Sequence, residues 1–374
     1  MTLPPLFDRW TAELLGQPVQ GEPLSTCEDC AMWPGEDGKR DEQIYFTSGK
    51  CCTFLPRLPN FLVGQALACE IDEPETRHGR AVLRRAIEKR ETNPLGMPRK
   101  LTYALRYRHS PGSFGRNEGL LCPLYVAETG RCGIWRSRNS TCSTWFCKHD
   151  RGVLAFHYWR RVQVLLEAIE IELRWWCAHE LGLAGDDLGD LHEQRDYPLW
   201  RKSGRFTTHL TGSLLESGNS DGGRLGRRSR QSYRGLWGEW AGREEAYFIE
   251  CANLVEALSW QDVQRIAGDA LDEDITALRE YLEVLETAEI PDHLVSGEIR
   301  VSPINDQHSL VHSYGPFDPR KIPNVVVGAL AHFDGRSTRD ARAAAAAEGV
   351  DMSDDLVRRL FDLRVLMPRH KKVD

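Results

Sequence analysis

The chain lacks most of the short motifs that announce a reaction. It has no P-loop and no HExxH, and it lacks the C-x3-C-x2-C arrangement of radical iron–sulfur enzymes. No glycine-rich methyl-donor loop follows a strand, and no internal repeat is visible. It lacks a long uncharged apolar run as well. The longest apolar stretch, Val153 to Leu183, carries Arg160, Arg161, Glu167, Glu170, Glu172 and Arg174, which excludes an ordinary membrane span. The start, MTLPPLFDRWTAELLG, has an early Asp8 and no basic segment ahead of an apolar one, so no secretory signal is expected and the cytoplasm is the expected location. A strong charge of either sign is missing too. The net charge of -7 over 374 residues gives no reason to expect nucleic acid or an anionic membrane as partner.

What the chain does have is cysteine, and most of it lies in two groups. Cys27, Cys30, Cys51 and Cys52 form the first. Cys122, Cys132, Cys142 and Cys147 form the second. In a reducing compartment, clustered thiols serve as metal ligands or redox groups more often than as disulfides, and a total of 11 fits poorly with a complete disulfide framework. Four thiolates satisfy a tetrahedral zinc ion, and four satisfy an iron–sulfur cluster.

The spacings add detail. Cys27-Glu28-Asp29-Cys30 is a CxxC knuckle, whose two thiolates reach one ion. Cys51 and Cys52 are adjacent, and in extended backbone adjacent side chains diverge. Both can serve one centre only if the chain turns sharply, so a count of eight leaves one or two centres open. In the second group, Cys142 and Cys147 would stand about 140° apart on a helix, so a turn is expected between them. Lys148, His149 and Arg151 follow at once, and positive neighbours offset thiolate charge. Cys69, Cys177 and Cys251 lie in apolar contexts and read as small buried hydrophobes. His149, His157 and His179 read as structural or surface residues, and the tryptophans from Trp135 to Trp176 as the core around the cysteines.

The expected fold is mainly α: a cysteine-rich metal-binding domain over 1–183, a central helical region over 184–290 and a winged-helix-like module over 291–374. Helices are expected at 4–16, 79–91, 153–183, 238–258 and 260–288, the last capped by Ser259. LTYALRYR reads as strand-like. The Gly/Ser/Arg-rich stretch 212–235 reads as a mobile surface loop whose arginines are solvated. Residues 297–314 read as a hairpin turning at Asn305-Asp306. Short helices follow at 323–333, 338–348 and 354–363, with Ser337 and Ser353 as caps.

The segments GKCCTFLPRLP and CPLYVAETGRCGIWRSRNSTCSTWFC resemble the YkgJ-type cysteine-cluster family of zinc- or iron-chelating domains. Cys122-Pro123-Leu124, Arg131-Cys132-Gly133-Ile134-Trp135 and Arg138-Asn139-Ser140-Thr141-Cys142 follow its motif order over residues 27–147. Two departures stand out. Asn139 replaces the pattern's proline, and 20 residues separate Cys30 from Cys51 where the family has two. The resemblance implies that all eight cysteines are metal ligands but implies no reaction. A related group, the flagellin lysine methylases, is similar in its cysteine pattern and is associated with an iron–sulfur cluster, which tips the metal slightly from zinc towards iron–sulfur.

Residues 297–368 also resemble, more loosely, the PqqD-type peptide-binding winged helix, through Phe333-Asp334-Gly335 and Ser337 after the first short helix. That implies a protein or peptide partner. The expectation is therefore a metal-binding accessory or redox protein. A protein- or peptide-modifying enzyme that uses the cluster and a structural zinc protein are the alternatives.

Overall fold

The computed structural model describes residues 3–23, 30, 32, 50–110, 112–183, 188, 233–287 and 289–369. Cys27 and residues 212–232 of the Gly/Ser/Arg-rich stretch lie outside them. Within the described residues the chain is mainly helical, with small antiparallel sheets. No described helix is long and apolar enough to cross a membrane.

The longest helix, Gly152–Glu180, runs through the centre of the larger core. Its residues Val162, Leu165, Leu166, Ile169 and Leu173 recur every three or four positions and are buried. Against it pack Ser140–Thr144, which carries Cys142, and Asp272–Thr287. A second pairing, Asn60–Ala68 on Glu244–Glu256, closes the far side. The first of these helices is apolar on nearly every face, so it shows no helical period from which it could be read. Gly64 makes the close approach possible, since a Cβ there would meet the Phe248 carbonyl oxygen at 1.8 Å. One continuous core runs from Leu3 to Leu278, and a separate smaller core from Leu294 to Leu366.

The stretch LTYALRYR is a helix, Leu101–Arg108, not a strand. Helical spacing stacks Tyr103 on Tyr107, with centroids 6.1 Å apart. It also lets the Tyr103 hydroxyl donate to the Thr53 carbonyl at 2.6 Å and accept from Leu55 N–H at 2.8 Å. Alternating apolar and polar residues suit a strand in isolation, but these tertiary contacts decide the outcome.

In the smaller unit, Arg300–Pro303 pairs with His308–His312, and Asn305 Oδ1 accepts from the N–H groups of Gln307 and His308 in the turn. Arg320–Pro323 pairs with the other side of His308–His312. A second sheet sets His293–Ser296 between Asp334–Ser337 and Leu366–Pro368. The helix Asn324–Ala329 precedes Asp334–Ser337, and Thr338–Ala347 and Asp354–Asp362 follow in succession before Leu366–Pro368. Ser337 and Ser353 cap the last two, and Ser259 caps Trp260–Ala267.

Candidate metal centre

Cys51 and Cys52 sit on a tight 3-10 turn, Lys50–Thr53, entered through Lys50 with φ +51°. This is the sharp bend that an adjacent pair needs. The two thiols hydrogen-bond to each other, with Cys51 donating. The turn is fixed from two sides. Cys122 N–H donates to the Cys52 carbonyl at 2.7 Å, tying the two cysteine groups together. The buried Lys50 ammonium donates to the Gly130 carbonyl at 3.0 Å. Gly130 has φ +66°, a conformation that favours glycine, and a Cβ there would lie 3.0 Å from Lys50 Nζ, crowding the ammonium.

Gly130 turns a short hairpin that pairs Tyr125 with Cys132. The next residue, Gly133, lies against Gly79 of the helix Pro74–Glu88. A Cβ on Gly79 would meet the Gly133 carbonyl oxygen at 2.1 Å. Cys142 enters from the helix Ser140–Thr144. Its N–H donates to Asn139 Oδ1 at 3.1 Å, so the asparagine that stands where the resembled pattern has proline is an N-cap. The helix ends at Thr144 and the backbone turns extended at Trp145, which is the break expected before Cys147.

Cys30, Cys51, Cys52, Cys122, Cys132 and Cys142 all line one cavity of about 90 Å³. Phe54, Leu58, Leu124, Ile134 and Trp145 supply apolar walls. Cys147 does not line this cavity, although Cys30 and Cys51 are among the thiols that act on its ionisation. Cys27 lies outside the described residues. Cys177 and Cys251 are buried elsewhere, on facing helices, with the Cys177 thiol 3.8 Å from the Cys251 carbonyl oxygen. All ten described cysteines are free thiols.

The electrostatics are those of a buried donor set. Burial pushes the Cys122 thiol up to about 12, and Cys132 and Cys142 upward as well. Cys51 is raised first by its hydrogen bond to Cys52 and then by burial. For Cys52, the bond from Cys51 lowers the pKa, but burial and the neighbouring thiols outweigh it. Raised thiols are the reverse of the depressed pKa that activates a nucleophilic cysteine. Arg138 is the charge that works the other way, favouring thiolate at Cys51, Cys132 and Cys142. It is buried, donates to the Trp135 carbonyl at 2.9 Å and the Cys142 carbonyl at 3.2 Å, and lies 3.6 Å over the Trp135 ring.

The donors fit a metal centre in kind and in number: soft sulfur ligands, more than four, around one cavity. Among the described residues, no three His, Cys, Asp or Glu side chains converge tightly enough to hold a single ion as they stand.

Two contributors carry no role of their own in the sequence reading. Arg138 stands there only as the first residue of the Arg138–Cys142 motif, one of three arginines with Arg131 and Arg136 between Cys122 and Cys142, and that place is its one signal. Asp318 left none. It comes from the smaller unit, is buried, and accepts from His149 N–H at 3.3 Å and from Arg320 at 2.9 Å. Lys148 Nζ lies 4.0 Å from its other oxygen. His149 does not line the cysteine cavity. It is buried beside Tyr314, and burial pushes its pKa down to about 3.

No known protein family matches the chain, and neither does any curated protein or solved structure.

Proposed function

We propose that this chain is a metal-binding cysteine-cluster protein whose thiols hold an iron–sulfur centre in an accessory or redox role. One observation carries the reading: six cysteines from separate stretches of sequence line one cavity. A single tetrahedral ion uses four sulfurs at about 2.3 Å. More than four thiols spread around a cavity of about 90 Å³ suit a centre of several atoms better. The motif order from Cys122 to Cys142 supports the same reading through its resemblance to the YkgJ-type family. When bound, such a centre supplies one-electron transfer or senses oxidation. The chain's own part is to keep water away with Phe54, Leu124, Ile134 and Trp145, and to offset thiolate charge with Arg138. Free thiols of this kind belong in a reducing compartment, the cytoplasm.

Anaerobic purification followed by absorption spectroscopy and metal analysis tests this. A broad visible band with stoichiometric iron and sulfide is the expected result. A colourless protein with zinc overturns the iron–sulfur assignment, and a protein without metal overturns the whole reading.

The smaller unit supports a second role, recognition of a protein or peptide. Its order of helix, strand, helix, helix and strand over 324–368 supports the resemblance to a winged helix. Arg300–Pro303 is an edge strand of the sheet beside it, where an extended peptide can add. Binding of partner peptides to the full chain, lost on Val301→Pro, is the check.

A further inference from the structure

The wall of the cysteine cavity carries a donor without an acceptor. Trp145 lines the cavity, and its indole Nε1 is shielded from solvent and has no hydrogen-bond partner among the described residues. Of the described lining side chains, it is the one with a buried nitrogen or oxygen in that state. Other indoles of the chain are satisfied. Trp10 Nε1 donates to the Leu258 carbonyl at 3.2 Å, Trp159 Nε1 to the Glu22 carboxylate at 3.0 Å and Trp240 Nε1 to the Leu181 carbonyl at 2.9 Å. A buried N–H left without an acceptor costs stability, so an acceptor is expected from what fills the space beside it.

We propose that Trp145 donates its indole N–H to a sulfur of the centre and that Phe317 holds the ring in that pose, so that the smaller unit sets the centre's reduction potential. The inference rests on the iron–sulfur reading and deepens it. Sulfur is the acceptor that the cavity offers in quantity, since six cysteines line it. Cys142, three residues before Trp145, is the nearest of them in sequence. A neutral thiol accepts weakly, whereas a metal-bound sulfur carries negative charge and accepts well. The positive end of the N–H dipole favours the more negative, reduced state, so the bond raises the potential.

Two phenyl rings grip the indole. Phe114 meets it edge-on with centroids 5.3 Å apart, and Phe317 does so at 6.1 Å. The two phenylalanines also touch each other, at 5.6 Å. Trp145 follows the last residue of the helix Ser140–Thr144 and its backbone is extended, so packing against these rings orients the indole. Phe317 belongs to the smaller unit and precedes Asp318, whose carboxylate accepts from His149 N–H. Movement of the smaller unit therefore reaches the centre through one hydrogen bond.

The test is spectroelectrochemical titration of the anaerobically purified full chain and of Trp145→Phe, which removes the N–H and keeps an aromatic ring. Metal content should hold, and the equilibrium constant for reduction should fall about tenfold, a downward shift of about 59 mV for one electron. Phe317→Ala should lower that constant severalfold. The double variant should fall no further than Trp145→Phe alone, because Phe317 acts through the same N–H. Benzothienylalanine in place of Trp145 keeps the two-ring shape without the N–H, and it repeats the measurement if Trp145→Phe fails to load. An unmoved midpoint in a loaded chain that lacks the N–H overturns this proposal alone. Additive shifts in the double variant, or an unmoved midpoint in Phe317→Ala, overturn control by the smaller unit. A wild-type chain that carries zinc or no metal overturns the iron–sulfur reading, and this proposal falls with it.

Discussion

The backbone N–H of His149 donates to the Asp318 carboxylate across 169 residues of sequence, and the same carboxylate holds Arg320, which in turn donates to the His149 carbonyl at 2.9 Å. The link ties the smaller unit to the chain two residues past Cys147. Phe317 extends it, packing on Trp145 and Phe114 with centroids 6.1 and 5.6 Å apart. Two of these three aromatics, Trp145 and Phe114, line the cysteine cavity.

Removing the carboxylate should therefore be felt in both units. Asp318→Ala takes a counter-charge from Arg320 and Lys148 in a buried setting, a change that costs about 3–5 kcal/mol. Denaturant unfolding measures it. Metal content should fall with stability if the link also holds the segment after Cys147. A loss below about 1 kcal/mol would mean that the network relaxes or hydrates.

Much of this arrangement was open to sequence reading, and the dividing line is physical. Ser259, Ser337 and Ser353 were legible as caps because capping is settled within four residues. The turn at Asn305 was legible for the same reason. The helix Asn60–Ala68 was not, because burial on every face erases the period that marks a helix. Leu101–Arg108 was misread because its conformation is fixed by contacts with Thr53 and Leu55. The cavity was legible as eight cysteines but not as six around one space. Which thiols meet depends on the hairpin at Gly130 and on the contact between Gly79 and Gly133, and neither glycine announces its partner.

That glycine contact gives a second prediction. Gly79→Ala places a methyl group 2.1 Å from the Gly133 carbonyl oxygen, so the helix and the hairpin that carries Cys132 must move apart. Overpacking of this kind costs about 1–3 kcal/mol. Gly16→Ala is a useful contrast, since a methyl group there meets nothing within 4 Å and only its φ of +72° is strained. Metal analysis of the two variants should show loss in Gly79→Ala alone.

Glu170 sets a pH dependence. It is buried, and its carboxyl receives the Ser140 N–H at 2.5 Å and the Ser140 hydroxyl at 2.9 Å, joining the long helix to the helix that carries Cys142. Burial outweighs those bonds and pushes its pKa from 4.5 up to about 8. The folded chain therefore binds the proton more tightly than the unfolded chain does. Below the unfolded value both states are protonated and the group contributes no slope. Between about 4.5 and 8 the unfolded state alone ionises, so stability falls as pH rises, by an amount on the order of a few kcal/mol, and levels off above that. Glu170→Gln should flatten this part of the curve. An unchanged slope in the variant would remove Glu170 as its source.

The ligand set can be dissected one thiol at a time. Cys132→Ser and Cys142→Ser each remove a sulfur from the cavity and should lower metal content and stability together, because metal binding and folding are linked. Cys251→Ser changes a buried thiol remote from the cavity and should keep full metal content. Cys147→Ser separates two arrangements that the wall residues leave distinct. Cys147 stands outside the lining, so retention of metal makes the centre a property of the six lining thiols together with whatever Cys27 adds. Loss of metal in Cys147→Ser, with the fold intact by circular dichroism, would require the segment after Thr144 to swing its thiol inward on loading. Normal metal content in Cys132→Ser would refute the cavity as the binding site.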